Sequence, residues 1–140
     1  VFINSFISLG LFALTFTCIL PFTFFDSNNS KAVHKALLKA NKNASKFALE
    51  VSKLSLEILE LIYSLREKIN PNSISDLAVA SEISYAAMRG GLLNIYINIK
   101  EVKSDNKFVD NVMEASDDIP AQATKLRDKI YTKSVQIINS

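Results

Sequence analysis

Asn70-Pro-Asn-Ser-Ile-Ser-Asp-Leu-Ala-Val-Ala80, running on to Met88-Arg-Gly-Gly-Leu-Leu-Asn-Ile-Tyr-Ile-Asn98, reads as one long helix with small and polar residues where large apolar ones are usual. Ser73 stands where an N-cap belongs and Asp76 falls three residues on, the spacing of a capping box with Asp in place of Glu. At helical spacing Ser73, Asp76, Ala80, Ala87, Gly91, Asn94 and Asn98 share one stripe, which Ser84 extends. The neighbouring faces carry Leu77, Ile83, Leu93, Ile95 and Ile97, so the expectation is a helix buried on most sides. Two asparagines one turn apart in such a helix need partners, because an unsatisfied buried amide costs about 1–3 kcal/mol. Neighbouring helices supply those partners, or a polar ligand does.

Upstream, Val33, Leu37, Ala40, Ala44, Phe47, Val51, Leu54, Ile58, Leu61 and Leu65 recur in alternating steps of four and three. That is the seam of a helix packed lengthwise on another helix, predicted over Lys31 to Ile69. Leu38, Leu49, Leu56, Leu59 and Ile62 widen it, which favours a bundle over an isolated two-stranded coil. Asn41-Lys-Asn43 is its weakest place, and Pro71 disfavours helical geometry at Asn70 and ends it. Downstream, the central helix runs from Ser73 to about Val102. Ser104 then caps a last amphipathic segment, with Asp105 in its first turn where the helix dipole favours an anion. Pro120 interrupts or kinks that segment. Long helices, short links and no period-two alternation predict an all-α, up-and-down helical bundle over residues 26–140, and its exposed seams predict a homodimer.

Val1 to Phe25 carries no charged residue, the first being Asp26. Its length suits a membrane span, and three readings stay open: a membrane-spanning or signal-like segment, sequence foreign to the domain, or a buried core helix. At 140 residues, 49% of them apolar, the chain fits one small domain. A net charge of +2, from 16 basic and 14 acidic residues, gives no argument for nucleic acid. One histidine (His34) and one cysteine (Cys18) cannot build a Cys/His zinc site or a Cys-His nucleophilic pair, and no phosphate-loop, dinucleotide or zinc-protease motif occurs. His34 reads as an exposed residue near a helix start, and Arg89 as a solvated surface charge.

The order Asn-Pro-Asn-Ser-Ile-Ser-Asp-Leu-Ala-Val-Ala, then small residues, then Arg-Gly-Gly-Leu-Leu-Asn-Ile-Tyr-Ile-Asn, resembles the cyclodeaminase/cyclohydrolase family. That family includes formiminotetrahydrofolate cyclodeaminases and methenyltetrahydrofolate cyclohydrolases. The resemblance covers roughly Lys31 to Ile138, corresponding to the C-terminal part of the family domain. The first 25 residues do not match the Pro-Gly-Gly-Gly-Ser turn and Ala/Gly-rich helix with which members usually begin. The resemblance implies a dimeric cytosolic enzyme that acts on tetrahydrofolate derivatives without metal or cofactor. It implies Asp76 as the catalytic acid/base, with Asn72, Ser73, Asn94 and Asn98 around the substrate. Two other classes compete with that expectation. One is a non-catalytic helical dimerisation or binding module of the same family, and the other is a helical protein anchored to a membrane through residues 1–25.

Overall fold

The computed structural model describes residues 30–140, so every expectation about Val1 to Phe25 lies outside the described residues. Four helices follow one another: α1 (Ser30–Leu65), α2 (Ile74–Lys100), α3 (Asn106–Ser116) and α4 (Ile119–Ile138). No strand occurs among the described residues, and the molecule is an all-α bundle. Among the same residues no helix is long and apolar enough to cross a membrane.

α1 and α2 lie antiparallel along much of their length, with α4 against both and α3 bearing chiefly on α1. The residues that join α1 to α2 are not those of the heptad seam. α1 turns Ser45, Ala48, Ser52, Ser55, Leu59 and Ile62 inward, while Phe47, Leu54 and Leu61 of the predicted seam are 62, 56 and 59% exposed. The apolar seam read from the sequence is thus not the face on which α1 meets α2. Small side chains admit the α2 backbone closely, and each inward serine satisfies its own hydroxyl: Ser45 donates to the Asn41 carbonyl at 2.9 Å and Ser55 to that of Val51 at 2.8 Å. Ser52 donates to the Ala48 carbonyl at 3.0 Å and lies 3.3 Å from that of Met88, linking the two helices. Facing it on α2, Gly91 comes so close that an added Cβ would meet the Ser52 hydroxyl and stand 2.9 Å from the Ala48 carbonyl oxygen.

α2 presents Ile74, Leu77, Ser81, Ser84, Met88, Leu92 and Ile95 to the interior, and Leu59, Met88, Ile95 and Ile130 close the core. Towards α4, the Tyr85 and Thr124 hydroxyls share a hydrogen bond at 3.2 Å, and the Arg127 guanidinium lies 4.6 Å above the Tyr85 ring. The faces of α1 and α2 turned away from α4 stay open. Ile83, Leu93 and Ile97 are 42, 65 and 62% exposed, which corrects the expectation of a helix buried on most sides.

The boundaries differ in instructive ways. α1 passes through Asn41-Lys42-Asn43 without a break and stops at Leu65, where the Lys68 and Ile69 amides both donate to the Leu65 carbonyl, at 2.8 and 3.1 Å. A 3-10 turn over Pro71–Ser73 follows, and Asn70 rather than Ser73 supplies the side-chain cap, accepting from the Asn72 amide at 3.0 Å. Ser73 precedes α2 at φ −103°, ψ 8°, and makes no side-chain cap bond, so the predicted capping box does not form. The 3-10 turn has already bent Ser73 out of the extended geometry an N-cap needs. Likewise Asp105, not Ser104, caps α3, accepting from the Phe108 amide at 3.1 Å. Pro120 sits in the first turn of α4 and opens a new helix, the position where its missing N–H costs nothing.

Candidate functional site

α2 carries Asp76, Asn94 and Asn98, the 3-10 turn before it carries Asn72 and Ser73, and the stripe runs along the edge of the α1 contact, where Gly91 meets Ala48 and Ser52. Gly91 and Ser84 of that stripe are buried. Ala80, Ala87, Asn94 and Asn98 are half-buried. Ser84 donates to the Ala80 carbonyl at 2.8 Å and is satisfied within its own helix. Asn98 is not. Its Nδ2 is buried and has no hydrogen-bond partner among the described residues. A buried amide left in that state is costly enough to ask what meets it.

Asn94 and Asn98 stand one turn apart, so their amides form one group near the C-terminal end of α2. Asn72, Ser73 and Asp76 form another at its N-terminal end. Asn72 and Asp76 are exposed and Ser73 is half-buried. At 1.5 Å per residue, the 18 positions between Asp76 and Asn94 amount to about 27 Å. One chain therefore does not bring the candidate acid/base and the candidate amides together. His34 and Arg89 are exposed.

Beyond the amide end of α2 lies a pairing that sequence reasoning missed. Lys42, from the middle of α1, reaches the Asp105 carboxylate that caps α3, and its ammonium stands 5.5 Å from the centre of the Phe108 ring. The Lys42 hydrogen bond, then the Phe108 amide, hold the Asp105 carboxyl below its ordinary range. The signal in the sequence was an aspartate three residues ahead of Phe108, as good a cap as the serine beside it. Nothing in the sequence points from there to Lys42, 63 positions away.

On the α4 side, the Arg66 guanidinium stacks 3.5 Å from the Tyr63 ring centre, and Glu67 lies 3.5 Å from Arg66 and 3.8 Å from Lys133. These long charged side chains answer one another at the surface, away from the amide stripe. Among the described residues no group of three His, Cys, Asp or Glu side chains converges as metal ligands would.

The chain that carries this stripe is similar to known proteins. A methenyltetrahydrofolate cyclohydrolase from Methylorubrum extorquens is 31% identical over 107 residues, which cover 76% of this chain and 51% of that protein. The chain thus spans about half the length of that relative. The model of the formiminotransferase-cyclodeaminase family matches residues 25–118, a span that takes in α1, α2 and α3. On a match that covers most of its length and the whole of the polar stripe, the chain belongs to the formiminotransferase-cyclodeaminase family.

Proposed function

We propose that this chain acts in tetrahydrofolate one-carbon metabolism, as a methenyltetrahydrofolate cyclohydrolase or a formiminotetrahydrofolate cyclodeaminase, in the cytoplasm and as a homodimer. Family membership supports the folate class, and the name of the relative favours the cyclohydrolase reaction over the deaminase one. The observation that carries the reading to particular residues is the buried, unpartnered amide of Asn98 on the same stripe as Asn94.

In the cyclohydrolase reaction water adds to the amidinium carbon bridging N5 and N10, and the ring opens to the 10-formyl product. In the cyclodeaminase reaction N10 attacks a formimino carbon and ammonia leaves. Neither transfers electrons, so neither calls for a redox group. Both need a base to take a proton as the nucleophile attacks, an acid to return one to the leaving nitrogen, and fixed dipoles around a planar cation. Asp76 has the carboxylate for the proton transfers. Asn94 and Asn98 have carbonyl oxygens that favour the cation and amide N–H groups that hold the pterin edge. Asn72 and Ser73 add polar groups beside Asp76.

Titration of a non-reactive tetrahydrofolate analogue tests this reading. Asn94→Leu is expected to abolish binding with helicity intact, since leucine is a better helix former and fills apolar space. Binding unchanged by that substitution would make the stripe a structural hydrogen-bond network. No binding by the unaltered chain would leave a non-catalytic helical module as the function.

A further inference from the structure

The opening turns of α1 have little of their own chain against them. Every residue from Lys31 to Leu37 is exposed, and none is buried before Ser45. The charge of this stretch is one-sided. Between Ser30 and Leu49 stand five lysines (Lys31, Lys35, Lys39, Lys42 and Lys46), one histidine and no acidic residue. From Glu50 to Ser140 the chain carries eleven basic and thirteen acidic residues, so its excess of positive charge is gathered here. The lysines recur in steps of four and three and fill one face of the helix. Val33, Leu37, Ala40, Ala44 and Phe47 recur in the same steps on the other face. Of these, Val33, Leu37 and Phe47 are 37, 56 and 62% exposed. A helical stretch of this length is marginal in water when nothing covers its apolar side.

We propose that Lys31 to Phe47 of α1 lies in the surface of a membrane rich in anionic lipid, with its apolar face among the upper acyl chains and its lysines among the headgroup phosphates. The two faces together name the occupant. A nucleic-acid backbone would answer the lysines and leave Leu37 and Phe47 in water. An apolar groove on another protein would cover Leu37 and Phe47 and leave the ammonium groups unanswered. The same stretch of a second copy would bring five more lysines and no acid to meet them. An anionic lipid surface satisfies both faces at once, as it does for other basic amphipathic helices.

The rest of the molecule leaves room for that contact. Lys42 reaches Asp105 ahead of α3, which sets α3 on the lysine side of α1 and keeps the apolar side clear. Lys31, Lys35, Lys39 and Lys46 remain exposed. Lys39 and Lys46 stand about 80° and 100° round the helix from Phe47. Their stems can run along the apolar edge and set the ammonium groups at headgroup level. Upstream, Asp26 is the one acidic residue before Glu50, so little in the sequence opposes the approach of an anionic surface. Asp76, Asn94 and Asn98 take no part, so membrane contact and folate binding are separable.

Co-sedimentation of the full chain with lipid vesicles tests this. Vesicles of phosphatidylcholine with phosphatidylglycerol are expected to bind it at least roughly tenfold tighter than phosphatidylcholine alone, and less tightly as added salt screens the lysines. Lys35→Gln, Lys39→Gln and Lys46→Gln in one chain are expected to weaken binding about a hundredfold, on the order of fivefold for each lysine. Leu37→Ser with Phe47→Ser is expected to weaken it roughly tenfold or more. All five side chains are exposed, and both variants are expected to keep the helicity of the unaltered chain. Equal binding to the two kinds of vesicle, or binding indifferent to the lysine substitutions, overturns the proposal and assigns any membrane affinity to residues 1–25. Binding that falls with the lysines but not with Leu37→Ser and Phe47→Ser overturns the immersed apolar face. No vesicle binding, with an oligomeric state changed by Leu37→Ser and Phe47→Ser, overturns the lipid contact in favour of a second copy on that face. Absence of folate binding overturns the proposed function and leaves the lipid contact standing.

Discussion

Gly90 and Gly91 are neighbours with opposite reasons to be glycine. Gly91 lies against α1, where an added methyl group would press on the Ala48 carbonyl and the Ser52 hydroxyl, one of them rigid backbone. Gly90, 100° further round, opens outward with nothing beside it. Gly91→Ala is therefore expected to destabilise the fold by about 1–3 kcal/mol, the range of overpacking in a close interface. Gly90→Ala is expected to stabilise the single chain by up to about 1 kcal/mol, through helix propensity and a less flexible unfolded state. Urea melts at concentrations low enough to hold the chain monomeric check both, and equal effects at the two positions would refute the contrast. A sequence reader sees only a Gly-Gly pair in a helix. Which of the two meets a helix of its own chain depends on the rotation of α2 about its axis, and residues far away set that rotation.

Among the helices, α3 is short and depends on its cap. Asp105 accepts from the Phe108 amide and from Lys42, and both contacts favour the ionised carboxylate and lower its pKa. A lowered folded value means that Asp105 holds α3 fully above the ordinary carboxylate range and lets go as pH falls through the depressed value. The Phe108 amide resonance is expected to follow that titration. Lys42→Met, which keeps the cap but removes the ammonium, is expected to move its midpoint upward. A midpoint unmoved by the substitution would show that the cap alone sets the shift. The presence and type of the elements were readable from apolar spacing, turn residues and Pro120. The packed face of α1 was not. Periodicity registers any apolar stripe, whether it meets the same chain or something outside it, and α1 reserves its inward face for Ser45, Ala48, Ser52 and Ser55. Serine counts as polar in a sequence, yet inside a helix it returns its hydroxyl proton to the preceding turn and packs as a small side chain. Asn94 and Asn98 were legible as candidates because amides are conspicuous among isoleucines. The distance of Asp76 from them was legible too, through the length of the helix.

For the molecule as a whole, the serine and glycine floor between α1 and α2 has a calorimetric consequence. Melting uncovers apolar and polar surface together. Apolar exposure raises the heat capacity by about 0.45 cal/K/mol/Å², and polar exposure lowers it by about 0.26. An interface where Ser45, Ser52, Ser55, Ser81 and Ser84 stand in the usual places of leucine releases less of the first and more of the second. Scanning calorimetry on the chain is expected to give an increment below the usual 12–15 or so cal/mol/K per residue, and a value within that range would refute the inference. A small increment flattens the dependence of stability on temperature, so the helix pair would weaken slowly on warming and on cooling alike. It would owe that breadth of range to how little oil it holds between its helices.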